Sequence, residues 1–464
     1  MHVLKFVADG VSDRSYMIVD AAGGVAAVVD AQRDVWTYLD EAERLGVRIT
    51  HAFDTHVHND FISGSRSLAE VAGTTVVQAQ GAGFEYPVHQ VCDGDRIELG
   101  HFVVRALHTP GHTPHHTSWV VEERGRPVGV FTGGSLLVET IGRTDLVSPG
   151  ATEGMARAQR ASLLKLLDFP DDTEVFPTHG AGSFCSAGEA PDREITSIGR
   201  EKRDNAAARI AMFEDEDAFV RHALHGLPGY PAYYAHMAPA NRRGQLPPLL
   251  ALPPLEALDP RKAHELQRRG VALVDARKAL DFVAGYPEGA RSIPLGDSFA
   301  GYVGWMLPFD AEMVFVFQND EDWRRAQGQL VRIGFDRAEG FVAGGFPAWS
   351  AAGLPVDCLQ SLDLDELHRR HRAGEIVLLD VRQDAEWRSG HVPGAAHIPI
   401  GTLPARLGDV PFGNGVRVAT VCASGMRATI AASLLKRIGI DPLVVARGGV
   451  EDWAERGWPI QREP

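Results

Sequence analysis

Cysteine is scarce in this sequence: four in 464 residues, at Cys92, Cys185, Cys358 and Cys422. That number cannot build the disulfide framework of a small secreted domain. It fits reduced thiols in a cytoplasmic protein, at least one of them free for chemistry. Positive charge is also short. Lys plus Arg is 46 against 61 Asp plus Glu, a net of −15, which argues against nucleic acid or an anionic membrane as the main partner. A small anionic substrate, needing only a local positive site, stays open. Long apolar runs are missing as well. The opening MHVLKFVADGVSDRSYMIVD has no basic segment followed by an apolar one, and no stretch reads as a spanning helix. The expectation is a cytoplasmic protein without a membrane partner. The apolar share of 44% and charged share of 23% are those of a globular chain. The length suggests roughly two to four domains.

A duplication is visible in the second half. VALVDARKALDFVAGYPEGARSIPLG (271–296) aligns with IVLLDVRQDAEWRSGHVPGAAHIPIG (376–401) at a shift of 105 residues. Asp275 then meets Asp380, Arg277 meets Arg382, Gly285 meets Gly390 and Gly289 meets Gly394. The proline-rich QLPPLLALPP (245–254) cannot continue a helix or a central strand and reads as a linker. We expect three domains, at residues 1–245, 255–356 and 360–464. Each repeat reads as α/β: IVLLDV and VRVATVC as buried parallel strands, MRATIAASLLKRIG as a helix closed by glycine. In the first domain GVAAVVD and HFVVRALHT read as strands, and VWTYLDEAERLG and MARAQRASLLKLLD as helices.

Between one such strand and helix lies Cys422-Ala423-Ser424-Gly425-Met426-Arg427. Amides converge at a helix start and form an anion-binding concavity, a setting that favours thiolate. Gly425 permits the tight loop, and Arg427 adds a fixed positive charge. The whole repeat resembles the rhodanese family, on Asp380-Val-Arg382, Glu386-Trp387, Gly390-His391-Val-Pro393-Gly394-Ala395, the Cys422–Arg427 loop and Arg447-Gly448-Gly449 with Trp453. The resemblance implies that Cys422 accepts a sulfane sulfur and passes it on, with Arg427 beside it. The amides of Ala423, Ser424, Gly425 and Met426 would hold the sulfur substrate. In the first copy Phe317 stands at the cysteine position, with Asp320 and Asp322 at those of Gly425 and Arg427. That copy reads as catalytically degenerate.

The first domain carries Thr55-His56-Val57-His58-Asn59-Asp60, then His108-Thr-Pro-Gly-His112-Thr-Pro-His115-His116, then Pro177-Thr178-His179-Gly180. Histidines two apart at a strand end lie on similar sides and can share a metal. The pattern resembles the metallo-β-lactamase fold, an αββα sandwich, and within it the persulfide dioxygenases and hydroxyacyl-glutathione hydrolases. Gly142-Arg143-Thr144-Asp145 and Pro231-Ala-Tyr233-Tyr234 add to the likeness, which implies a substrate-pocket role for Arg143. Two departures stand out. Phe61 replaces a further histidine, which favours a single metal. Gly134, in Thr132-Gly133-Gly134, replaces the metal-binding aspartate. Of the set of two histidines and a carboxylate that the resemblance implies, His56 and His112 remain. Three outcomes stay open: His58 completes a neutral three-histidine site for Fe(II) or Zn(II); Asp60 or His179 moves into the gap; or metal binding is weak and the oxygen chemistry is lost. The three-histidine site with His58 is the expectation carried forward.

The architecture resembles fusions of a persulfide dioxygenase, a pseudo-rhodanese and a rhodanese. This implies a low-molecular-weight thiol persulfide, thiosulfate and sulfite as reactants, a sulfur-carrier protein as a further partner, and a homo-oligomer. The alternatives are a zinc-dependent thioester hydrolase fused to a sulfurtransferase, and a metal-free first domain serving sulfur delivery to Cys422.

Overall fold

The computed structural model describes residues 1–180, 182–187, 196–227, 229–411 and 416–462. The chain divides into two compact units, Met1–Pro253 with Gly328–Gly334, and Pro254–Gln327 with Phe335–Pro464.

The first unit is a sandwich of two six-stranded sheets. One runs in chain order from His2–Ala8 through Asp13–Asp20, Val25–Val29, Arg48–Phe53 and Thr75–Ala79 to His89–Val91. The other contains Arg96–Leu99, Phe102–His108, Thr117–Glu123, Arg126–Gly133, Glu174–Pro177 and Thr196–Ser197, again in chain order across the sheet. Side chains alternate across a strand, and both faces of the inner strands are buried. Along Val25–Val29, Ala27 and Val29 enter the core between the sheets with Trp119 and Phe131. Ala26 and Val28 face outward and pack with Val35, Tyr38 and Leu68, residues on or beside the helices Trp36–Leu45 and Ser65–Ala72. This double burial explains the unbroken apolar run that marked the strand in the sequence. On the second sheet's outer face the helix Thr152–Leu167 buries Leu163, Leu166 and Leu167 against Val130 and Val175. The order is therefore helix, sheet, sheet, helix.

The second unit contains two parallel sheets of five strands with the same topology. In the first, Ala272–Asp275 lies between Met313–Val316 and Arg291–Ser292. In the second, Ile376–Asp380 lies between Arg417–Val421 and Ala396–His397. The repeated Asp-x-Arg is structural. Arg277 donates to the Asp275 carboxylate from Nε at 2.9 Å and to the Gly285 carbonyl at 2.7 Å. Arg382 does the same to Asp380 at 3.0 Å and the Gly390 carbonyl at 2.8 Å. Both pairs are buried, so each ion is matched within its own strand-end turn. Among the described residues, no helix is long and apolar enough to cross a membrane.

Candidate functional site

The strand Arg417–Val421 ends directly at Cys422, and the helix Met426–Arg437 begins four residues later with Gly425 as its cap. Gly425 has φ +95°, and a Cβ there would fall on the Ala446 backbone, 2.9 Å from its Cα and closer to its carbonyl. A Cβ at Gly449 would strike the carbonyl groups of Cys422 and Ala423. The two glycines let three backbone segments meet around one thiol. The Gly425 N–H donates to Cys422 Sγ at 3.1 Å, as an anion-binding turn requires. The thiol is fully buried, Ser424 is exposed, and Ala423 and Met426 are partly exposed.

Arg427 does not stand as an isolated charge. Its Nη1 and Nη2 donate to the two oxygens of Glu386 at 2.6 and 2.7 Å. Burial would raise the Glu386 carboxyl, but Arg427 outweighs it and holds the group below the usual carboxylate range. Glu386 also accepts the Gln383 N–H at 2.9 Å, capping the helix Asp384–Ser389. Glu386 stood in the sequence only as part of a motif, and its role as the partner of Arg427 was not legible there. In the first copy Phe317 is buried where Cys422 stands in the second, and the Asp320 carboxylate accepts the Gly344 N–H at 3.0 and 3.2 Å. The acid of that loop thus serves an amide 24 residues further along the chain.

In the first unit, His56 follows the strand Arg48–Phe53, His112 lies in the loop after Phe102–His108, and His179 follows Glu174–Pro177. All three are buried, and one ring nitrogen from each lies within 4.8 Å of the others. The second ring nitrogen of each is anchored: His56 Nδ1 to Thr55 Oγ1 at 2.8 Å, His112 Nδ1 to the Arg143 carbonyl at 2.8 Å, and His179 Nδ1 to Asp13 at 2.9 Å. This fixes the rings with their Nε2 atoms inward. Nε2 of His112 and of His179 is buried without a hydrogen-bond partner among the described residues. An unmatched buried polar atom is costly, and two such ring nitrogens facing a third imidazole suit a divalent metal; burial would lower His179, but Asp60 and Asp13 outweigh it and raise it to about 10, so a metal there displaces the proton of that ring. Burial, with the neighbouring histidines' charges, pushes His56 well down and His112 down to about 3, so both are neutral and able to ligate. Burial pushes the Asp13 carboxyl up to about 8, with the Asp60 charge adding to it.

The histidine that the geometry gathers with His56 and His112 is thus His179. His58 Nε2 is turned to Asp30 at 3.1 Å, in a separate buried cluster with Asp54. Asp30 also accepts the Thr55 N–H at 2.7 Å and the Thr178 hydroxyl, so one carboxylate ties the first histidine segment to the third. Asp60 faces His179 at 3.3 Å and Cys185 Sγ at 3.3 Å. Cys185 was not singled out in the sequence, although it stands six residues after His179. A Cβ on Gly134 would lie 2.5 Å from His112 Cγ and 2.8 Å from its Nε2. The His112 ring occupies the space that an aspartate side chain would need. The Gly134 N–H is used too, donating to His116 Nε2 at 3.0 Å.

A cavity of about 580 Å³ is lined among others by Val57, Thr113, His115, Tyr230, Tyr234 and Arg242; Val57 and Thr113 directly follow His56 and His112 in the chain, but none of His56, His112 and His179 is in the lining itself. Arg143 is not part of its lining. It is buried, pairs with Asp145 at 2.6 and 2.7 Å and donates to the Phe184 carbonyl at 3.0 Å. Tyr230 stacks on its guanidinium at 4.6 Å, so Arg143 touches the cavity through that ring.

The family model described as the metallo-beta-lactamase superfamily matches residues 6–179, and that described as the rhodanese-like domain matches residues 259–352 and 363–456. The chain is similar to the mitochondrial persulfide dioxygenase ETHE1 of Homo sapiens, 30% identical over 190 residues, which are 39% of this chain and 69% of that protein. It is similar to the hydroxyacylglutathione hydrolase of Methylococcus capsulatus, 31% identical over 166 residues, 35% of this chain and 60% of that one. The chain spans about two thirds of the length of such curated relatives. A solved metallo-beta-lactamase structure from Staphylococcus aureus subsp. aureus COL superposes with a TM-score of 0.65 at 28% identity, over 74% of this chain and 99% of that one.

Proposed function

The chain belongs to the metallo-β-lactamase superfamily and carries two rhodanese-like domains behind that fold, and from this premise we propose that it is a sulfur-handling fusion enzyme whose second rhodanese-like domain transfers sulfane sulfur through Cys422. The observation that carries the reading is the Gly425 N–H directed at Cys422 Sγ in a glycine-built loop at a helix start. Cys422 as thiolate attacks the sulfane sulfur of thiosulfate or a thiol persulfide. The S–S bond breaks and its electron pair leaves with sulfite or thiolate. The cysteine persulfide then gives its outer sulfur to a nucleophilic acceptor, and the Cys422 thiolate returns. Loop amides stabilise the anionic sulfur in both states. Glu386 holds Arg427 over the loop, and neither changes protonation.

In the first domain, His56, His112 and His179 would hold one divalent metal. When bound, it supplies Lewis acidity and, if it is iron, redox capacity. The chain's own residues supply the rest. Asp13, Thr55 and the Arg143 carbonyl orient the three imidazoles. The adjoining cavity takes a thiol persulfide, with the guanidinium of Arg242 available to a carboxylate on the thiol carrier. Persulfide oxidation toward sulfite is the reading we favour over thioester hydrolysis, because a three-histidine set leaves no bridging carboxylate for a second metal.

The test has two arms. Thiosulfate:cyanide sulfurtransferase activity should be present in the full chain and absent in Cys422→Ser; retained activity in the variant overturns the central role of Cys422. Protein purified anaerobically should contain close to one equivalent of metal per chain and consume O2 when given glutathione persulfide. Zinc with thioester cleavage would replace that reading by the hydrolase, and absence of metal under every loading condition would leave the first domain as a scaffold.

A further inference from the structure

The segment Gly328–Gly334 lies within the first rhodanese-like repeat in the sequence, yet it belongs to the first compact unit of the fold. It includes the end of the helix Trp323–Arg332. Arg332 touches three separate loops of that unit. Its Nη1 donates to the Asp9 carbonyl at 3.0 Å. Its Nη2 and Nε donate to Asp34 Oδ2 at 2.7 and 3.2 Å, and Asp34 is buried. Its own carbonyl accepts the Ile62 N–H at 2.7 Å. Arg33 returns the contact, donating from Nη1 to the Val331 carbonyl at 3.3 Å. Gly10 is bare where the segment passes: a Cβ there would lie 2.6 Å from Gln329 Oε1 and 2.9 Å from its Cγ. Each of the three loops carries, a few residues from its contact with Arg332, a carboxylate of the histidine site. Asp13, after Asp9, holds His179 Nδ1 at 2.9 Å. Asp30, before Asp34, accepts the Thr55 N–H at 2.7 Å and the hydroxyls of Thr55 and Thr178, the residues that directly precede His56 and His179. Asp60, before Ile62, faces His179 at 3.3 Å. The last two loops are also tied to each other, the Gly64 N–H donating to the Ala31 carbonyl at 2.7 Å.

Resting on the reading of His56, His112 and His179 as a metal site, we propose that Arg332 is a positioning residue of that site: it fixes the three loops whose carboxylates, Asp13, Asp30 and Asp60, orient the ligating histidines. Groups behind a metal ligand set its orientation and so the tightness of metal binding. A carboxylate on a loosened loop no longer holds the ring it faces. The guanidinium suits this task because its donors form a rigid fork, able to hold a carboxylate and a carbonyl at once in fixed directions. The first repeat thereby takes part in the metal site, a role that needs no thiol in its own loop.

The test uses the full chain loaded anaerobically with Co(II), as wild type, as Arg332→Lys, and as the double variant Arg332→Leu, Asp34→Asn. The double variant removes both charges, so it folds without a stranded buried ion. The first readout is the rate at which EDTA strips Co(II), followed by its visible absorption bands. The double variant should release Co(II) about ten-fold faster, the scale on which groups behind a ligand act, with altered bands. Arg332→Lys, which keeps a charged contact to Asp34, should fall between. Leu163→Ala, a cavity in the apolar cluster around the helix Thr152–Leu167, controls for lost stability and should keep the wild-type rate and bands. The second readout needs no metal: hydrogen exchange in peptides spanning residues 9–13 and 30–34 should quicken several-fold in the double variant and not in Leu163→Ala. Wild-type release from the double variant, or equal acceleration in Leu163→Ala, overturns the positioning role. If wild-type protein binds no Co(II), the metal reading has failed, and hydrogen exchange alone decides whether Arg332 fixes the loops.

Discussion

Restoring an aspartate at position 134 should damage the first domain's site instead of rebuilding it. The obstacle is steric. Gly134 does not adopt a left-handed φ, so its backbone accepts a side chain, but the new Cβ would lie within 2.5 Å of His112 Cγ and nearer still to Cδ2. His112 cannot yield freely. Its Nδ1 is bonded to the Arg143 carbonyl at 2.8 Å, and Arg143 is pinned in turn by Asp145 and the Phe184 carbonyl. Overpacking a rigid core costs about 1–3 kcal/mol, and the broken imidazole bond adds about 0.5–1.5 kcal/mol. For a domain of this size each kcal/mol is worth roughly 2–4 °C, so Gly134→Asp should melt several degrees below wild type. Metal content should fall with it, because His112 is displaced from His56 and His179. The assay is calorimetry beside elemental analysis after anaerobic loading. Gly134→Ala is the control that carries the clash without the charge, and it should lose stability as well. A Gly134→Asp protein that melts no lower than wild type and binds metal more tightly would refute the reasoning, since the ring would then have moved aside at no cost.

Further outcomes follow from other contacts. His179→Ala should lower bound metal to well under one equivalent by elemental analysis, and full occupancy would mean that His179 is no ligand. Arg382→Ala strands the Asp380 carboxylate, which is buried; breaking such a pair costs about 3–5 kcal/mol, to be read from chemical denaturation. The Glu386 carboxyl is held down by Arg427 against burial, so its folded-state pKa lies below that of the unfolded chain. The pair's stabilisation is therefore complete above roughly pH 4.3 and is lost as pH falls further through the folded value. Glu386→Gln should flatten the acid limb of stability against pH, followed by tryptophan fluorescence, and an unaltered limb would remove the pair from that role.

Legibility in the sequence followed how local each interaction is. The inner strands of the first domain and of the two repeats were readable because burial on both faces gives unbroken apolar runs, as in Val25–Val29 and Ile376–Asp380. The Cys422 loop was readable because its amides belong to adjacent residues. The histidine site was only half readable. His56 and His58 are two apart, so spacing favours them as a pair, and their rings do lie 4.2 Å apart, yet Asp30, 28 residues upstream of His58, takes its Nε2. His179 is brought to His56 across the two sheets, where Asp30 accepts from both Thr55 and Thr178, a long-range contact that spacing cannot encode. The same holds for Glu386 beside Arg427, 41 residues apart.

The two positions at which this chain departs from its own patterns share a physical outcome. In each, the space or hydrogen bond that the missing group would use has been taken up from within the fold. The His112 ring fills the place that a side chain at Gly134 would need. In the first repeat, Phe317 fills the core where a cysteine would stand, and the Asp320 carboxylate takes up the Gly344 amide of a neighbouring loop. Neither position is an empty socket awaiting one substitution, because dense packing leaves no room unfilled and a buried donor is costly to leave unmatched. Phe317→Cys should therefore give a buried, unreactive thiol, slow to alkylate and unable to carry sulfur, while Asp320 remains on the Gly344 amide. A Phe317→Cys, Cys422→Ser double variant with measurable thiosulfate turnover would show that the loop can reopen, and that the degenerate copy lost only its nucleophile.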